Sequence, residues 1–141
     1  MRGHSADPQA DFEELYRRLV FTILVSNKDD HLKNHGFLYA GNGQWRLSPV
    51  FDVNPAPDRN PHLETAIMEG GSHDRSITLA LEACQFFEIA EGEARRMIQE
   101  MAQKVSAGWR EVLRVADVSG SLAKEYEPAF VHDQSEAALT L

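Results

Sequence analysis

The sequence predicts a mainly α-helical fold with one small β-hairpin. Apolar residues recur at helical spacing over 12–26, 77–87 and 93–115, and a single Gly41-Asn42-Gly43 turn separates two short aromatic-bearing runs. The 141 residues are the size of one domain, with enough chain to bury a core without staples. No repeat and no linker divides them.

Composition narrows the function. Hydrophobic residues are 43% and charged residues 26%, the balance of a globular chain. Fourteen Lys and Arg against 22 Asp and Glu leave a net charge of −8, which argues against broad electrostatic binding to nucleic acid or anionic membrane. The longest strongly apolar stretch, Leu19 to Val25, falls far short of the roughly 20 residues of a membrane span. No apolar signal region opens the chain, so a cytoplasmic location is expected. Cys84 is the lone cysteine, which excludes an internal disulfide framework and any multi-cysteine zinc site.

In chain order, residues 1–10 read as a flexible N-terminal segment, 11–131 as the domain and 132–141 as a flexible tail. Asp11 and Glu14 form a capping-box pattern, and behind them Phe12, Leu15, Tyr16, Leu19, Val20 and Ile23 share one helical face over 12–26. Residues 27–36 pack polar and ionisable groups into a loop. Phe37-Leu38-Tyr39 and Gln44 to Ser48 are the hairpin strands. Pro55, Pro57 and Pro61 keep the following stretch irregular, Leu63 to Met68 is a candidate short strand, and Gly70 to Asp74 is a loop. Ile77, Leu81, Cys84 and Phe87 supply a buried face to the next helix. Ala94, Met97, Ile98, Met101, Val105, Trp109, Val112 and Leu113 do so over 93–115, and a further helix is expected at about 121–131.

Chemistry concentrates in residues 27–52. Asp29 is followed five residues later by Asn34, and Asp52 stands beyond the hairpin. Phosphoryl transfer needs positioning and charge neutralisation more than covalent help: a carboxylate to orient the acceptor hydroxyl, and oxygen ligands for Mg²⁺. Asp then Asn at this spacing is the order of a protein-kinase catalytic loop, and a later Asp supplies the second metal contact.

At these residues the chain resembles a known family. Asn27-Lys28-Asp29-Asp30-His31-Leu32-Lys33-Asn34 resembles the catalytic loop of the HipA-like serine/threonine kinases, toxins of type II toxin–antitoxin systems. Leu47-Ser48-Pro49-Val50-Phe51-Asp52 resembles their metal-binding segment. The resemblance implies a fold similar to the C-terminal lobe of a protein kinase, with Asp29 as catalytic base. It implies His31, Leu32, Lys33, Asn34, Phe51 and Asp52 as ATP contacts, and Asn34 and Asp52 as Mg²⁺ ligands. It also implies a helix-turn-helix antitoxin as partner, DNA reached only through it, and a protein substrate such as an aminoacyl-tRNA synthetase. Two departures stand out. Phe51 replaces the usual Tyr, and the 28 residues before Asp29 hold no glycine-rich phosphate loop or strand Lys. The isolated chain is therefore expected to be inactive alone, as a fragment, a remnant or a split form. The rival class is a non-catalytic module that binds an antitoxin or a partner chain.

Other residues carry plainer expectations. Asp30 is a structural neighbour of the base. His31 and His35 are four apart, but no Glu stands between them and Gly36 follows, against a metalloprotease-type helix. His4, His62, His73 and His132 are expected at the surface. Trp45, Trp109, Met97 and Met101 are packing residues, and Cys84 is an inert buried thiol. Arg95, Arg96, Arg110 and Arg114 belong to a solvated helix face. Apolar faces left uncovered would favour self-association.

Overall fold

The computed structural model describes residues 2–27, 34–57 and 76–141. Over these it is mainly helical with one two-stranded antiparallel hairpin, as the sequence predicts. The candidate strand at Leu63 to Met68, the loop at Gly70 to Asp74, His62 and His73 lie outside the described residues.

Helix α1 (Pro8–Leu24) begins earlier than the Asp11–Glu14 pattern suggests. Asp7 is its N-cap, accepting the Ala10 amide at 3.1 Å, and Pro8 occupies the first turn, where a missing N–H costs nothing. Asp11 has a different job. It is buried, and its carboxylate accepts from Ser5 Oγ at 2.7 Å and from Arg46 Nε at 2.9 Å. Burial opposes its charge, but these hydrogen bonds outweigh that and hold the carboxyl below its ordinary range.

The hairpin joins β1 (Phe37–Gly41) to β2 (Gln44–Leu47), with Phe37 opposite Leu47 and Tyr39 opposite Trp45. Asn42 and Gly43 both take positive φ, the backbone of the tight turn that suits the twist of two strands. The N-terminal segment, expected to be loose, adds a short third partner: Trp45 donates its amide to His4 O at 2.8 Å, and Ala6 donates its own to Trp45 O at 2.9 Å.

Helix α2 (Ile77–Ala83) runs into a tighter 3₁₀ turn at Cys84–Phe87. Helix α3 (Glu91–Val115) is about 37 Å long at 1.5 Å per residue. Helices α4 (Gly120–Phe130) and α5 (Asp133–Leu139) follow. Tyr16, Val20, Ile23 and Leu24 of α1 meet Ile77, Ala80 and Ala83 of α2 and Ala94, Met97, Ile98 and Ala102 of α3 in one core. Tyr16 Oη donates to Ala80 O at 2.9 Å, satisfying a hydroxyl that burial would otherwise strand. Burial pushes the Cys84 thiol up, away from thiolate chemistry. Trp109 stacks on Phe130 at 5.0 Å, whereas Val112, expected in the core, is 66% exposed.

The tail also differs from expectation. Residues 133–139 form α5, with Ala138 fully buried and Leu139 and Leu141 packed on the core. A reciprocal cap starts the helix, since His132 Nδ1 accepts the Ser135 amide and Ser135 Oγ accepts the His132 amide. His132 is thus half-buried rather than a surface residue. No described helix is long and apolar enough to cross a membrane.

Candidate phosphoryl-transfer site

The site is built from the end of α1, the chain re-entering the hairpin, and the segment after β2. Ser26 adopts φ 57°, its amide bonds Ile23 O, and the Asn27 amide bonds Thr22 O at 2.9 Å. This is a Schellman ending, which reverses the chain away from the helix axis and usually takes Gly at the left-handed position. Asn27, the first residue of the kinase-like motif, is buried by that reversal.

Asp29, Asp30, His31, Leu32 and Lys33 lie outside the described residues. Asn34 is described and is buried, with 7% of its surface exposed. Two residues on, Gly36 O accepts the Ser48 amide at 2.8 Å. A Cβ at Gly36 would sit 3.1 Å from Ser48 Oγ and 3.6 Å from the Phe51 ring, so glycine lets the two segments lie close. From α1, buried Arg18 donates to Ser48 O while its Nε holds Glu14 at 2.8 Å.

Asp52 is exposed and takes φ 57°, a left-handed backbone that carbonyl–side-chain crowding disfavours outside Gly, Asn and Asp. Its Oδ1 accepts from Asn54 Nδ2 at 3.0 Å. The Asn54 amide donates to Asn27 Oδ1 at 3.2 Å, and the Ala56 amide to Ser26 O at 3.2 Å. Thus the loop's beginning at Asn27 is tied just beyond Asp52, and its end at Gly36 is tied just before it. Phe51 is 45% exposed beside Gly36.

Sequence reasoning missed the residues that make these ties. Asn27 stood in the motif without a role, Arg18 drew no reading, and Ser26 marked only the end of the helical pattern. The signal for Ser26 was slight: a small polar residue where the helical pattern stops.

Comparison with known proteins places the sequence in a family. The sequence pattern of the HipA-like C-terminal domain matches residues 1–109. The chain is 34% identical over 58 residues to a protein named "Putative kinase" from Haemophilus influenzae, covering 39% of this chain and 17% of that protein. It is 46% identical over 44 residues to "Putative kinase Y4dM" from Sinorhizobium fredii, covering 31% of this chain and 11% of that protein. The matched stretches are therefore less than a fifth of either relative's length. With its motif segments tied together and most of its length inside the matched pattern, the chain belongs to the HipA-like C-terminal domain family of kinase-like proteins.

Proposed function

We propose that the chain carries the catalytic loop and metal-binding segment of an ATP-dependent serine/threonine protein kinase of the toxin–antitoxin type. Asp29 orients the acceptor hydroxyl and takes its proton. Asn34 and Asp52 hold Mg²⁺, and His31, Leu32, Lys33 and Phe51 complete the contacts to ATP, Lys33 offsetting phosphate charge. The donor set suits a hard cation that prefers oxygen ligands: a carboxamide at Asn34 and, at Asp52, a carboxylate whose Oδ2 has no hydrogen bond among the described residues. Bound Mg²⁺ supplies neutralisation of charge on the transferring group. The substrate in this reading is a protein Ser or Thr, with an aminoacyl-tRNA synthetase as the class the family resemblance implies. A helix-turn-helix antitoxin is the partner, with DNA reached through it.

The observation that supports this most is the pair of ties bracketing Asp52, Asn27 Oδ1 to the Asn54 amide and Gly36 O to the Ser48 amide. They hold both flanks of the Asp29–Asn34 loop against the metal segment. Calorimetry of the 141-residue chain with ATP, with and without Mg²⁺, tests the reading. Weak binding that requires Mg²⁺ is expected. Asp52→Asn, which keeps a residue tolerant of the left-handed backbone, should weaken it roughly tenfold or more. Asp29→Asn should leave the affinity nearly intact, since the base is not a metal ligand. Binding that ignores both Mg²⁺ and Asp52→Asn would contradict the assignment and favour the non-catalytic interaction module.

A further inference from the structure

We propose that α4 and α5 form the positioning element of the catalytic loop, acting through Ser26 and His132 on the joint from which that loop departs. The assignment of the loop rests on the function proposed above; the mechanical coupling does not. Three observations converge on the joint.

The first is the choice of residue at the end of α1. A Schellman ending favours Gly, and a serine held at φ 57° bears about 1 kcal/mol or more of backbone crowding. What the serine adds is its hydroxyl, which is buried and donates to Ala129 O of α4 at 2.9 Å. The second is His132. With its proton on Nε2 the ring donates to Leu24 O at 3.2 Å, while Nδ1 accepts the Ser135 amide at 3.3 Å. One side chain thus both starts α5 and holds the last turn of α1. The third is the onward connection. Ser26 O receives the Ala56 amide and Asn27 Oδ1 receives the Asn54 amide, so a joint fixed from α4 and α5 also fixes the segment beyond Asp52.

Helix α5 is itself well anchored. Ala138 is buried in the core, Gln134 Oε1 accepts the Ile77 amide at 2.8 Å, and Gln99 Nε2 donates to Leu139 O at 3.1 Å. Residues 110–141 lie beyond the stretch matched to the family pattern, so this support comes from a part of the chain that the family pattern does not cover.

Amide hydrogen exchange on the full chain tests the proposal with two variants. Ser26→Gly relieves the backbone crowding and removes the hydroxymethyl group, and with it the hydrogen bond to Ala129 O. His132→Asn keeps a good N-cap for α5 but is too short to hold Leu24 O. Each should speed exchange at the Ala56 and Asn54 amides about tenfold, while the Ile98 amide in the core stays within about twofold and Ser26→Gly leaves Tm unchanged or raised. Mg²⁺–ATP affinity should fall in the same variants. Unchanged exchange at Ala56 and Asn54, or an equal acceleration at Ile98, would overturn the positioning role. A parental chain that binds no Mg²⁺–ATP would defeat the functional reading instead, and the exchange rates would still decide the coupling.

Discussion

The hairpin and the C-terminal helices are attached to the same α1–α3 core differently: both use hydrogen bonds, and the C-terminal helices add burial. Leu38 and Tyr39 of β1 are 57% and 61% exposed, and Trp45 of β2 is 43% exposed. What fastens this hairpin is polar: Arg46 to Asp11, Arg18 to Ser48 O, and the Trp45 backbone to His4 and Ala6. Helix α5 adds burial to its hydrogen bonds, with Ala138 fully enclosed and Leu139 and Leu141 against the core. At the end of α1, α4 and α5 add direct hydrogen bonds, from Ser26 Oγ to Ala129 O and between His132 Nε2 and Leu24 O. The polar fastening of the hairpin leaves a large apolar surface on it.

The largest test of that contrast is Ala138→Asp. It would place an unpaired charge in the core and should cost about 3–5 kcal/mol, read as a drop in urea midpoint at constant slope. A small loss would mean that α5 is laid on the surface rather than built in.

The polar attachment is tested by Asp11→Asn, expected to cost about 1–3 kcal/mol. Because the Asp11 carboxyl is held below its ordinary value of 3.8, its contribution is complete at pH above that value. The contribution is lost as pH falls through the depressed folded-state pKa. The gap between parent and variant should therefore be constant at neutral pH and close only in strong acid. A gap that closes already near pH 6 would assign the effect to another group.

The smallest effect is expected from Leu38→Ser on the exposed strand, within about 0.5 kcal/mol of the parent. The same variant should reduce self-association in light scattering if the hairpin surface drives it. A loss of several kcal/mol would show that the strand is buried in solution.

Legibility followed the same divide. The buried stripes of α1 and α3 were plain because tertiary packing there follows helical period, and the hairpin was plain because Asn42-Gly43 has little else to do. The start of α1 was misplaced. Asp11 and Glu14 imitate a capping box, and nothing local reveals that Asp11 pairs with Arg46 across 35 residues; Asp7-Pro8 held the true signal. Helix α5 was lost because it is two turns long, its apolar run is Ala137-Ala138-Leu139, and a histidine N-cap lies outside the usual set. Val112 kept helical spacing but fell on the outer side, where α3 extends beyond the core. For the candidate site, motif spacing singled out two segments, and the described parts of them are hydrogen-bonded to each other. The ties between them run through Asn27, Asn54, Gly36 and Ser48, whose pairing depends on how the hairpin folds back.

The central claim is that Asn34 and Asp52 share one divalent ion, and paramagnetic broadening by Mn²⁺ in the presence of ATP tests it most directly. On the isotopically labelled chain, the account predicts that the Asn34 and Asp52 amide signals broaden together, ahead of those of the acidic residues along α3, and that Asp52→Asn abolishes both effects. Broadening at only one of the two, or spread evenly over the acidic surface, would contradict it.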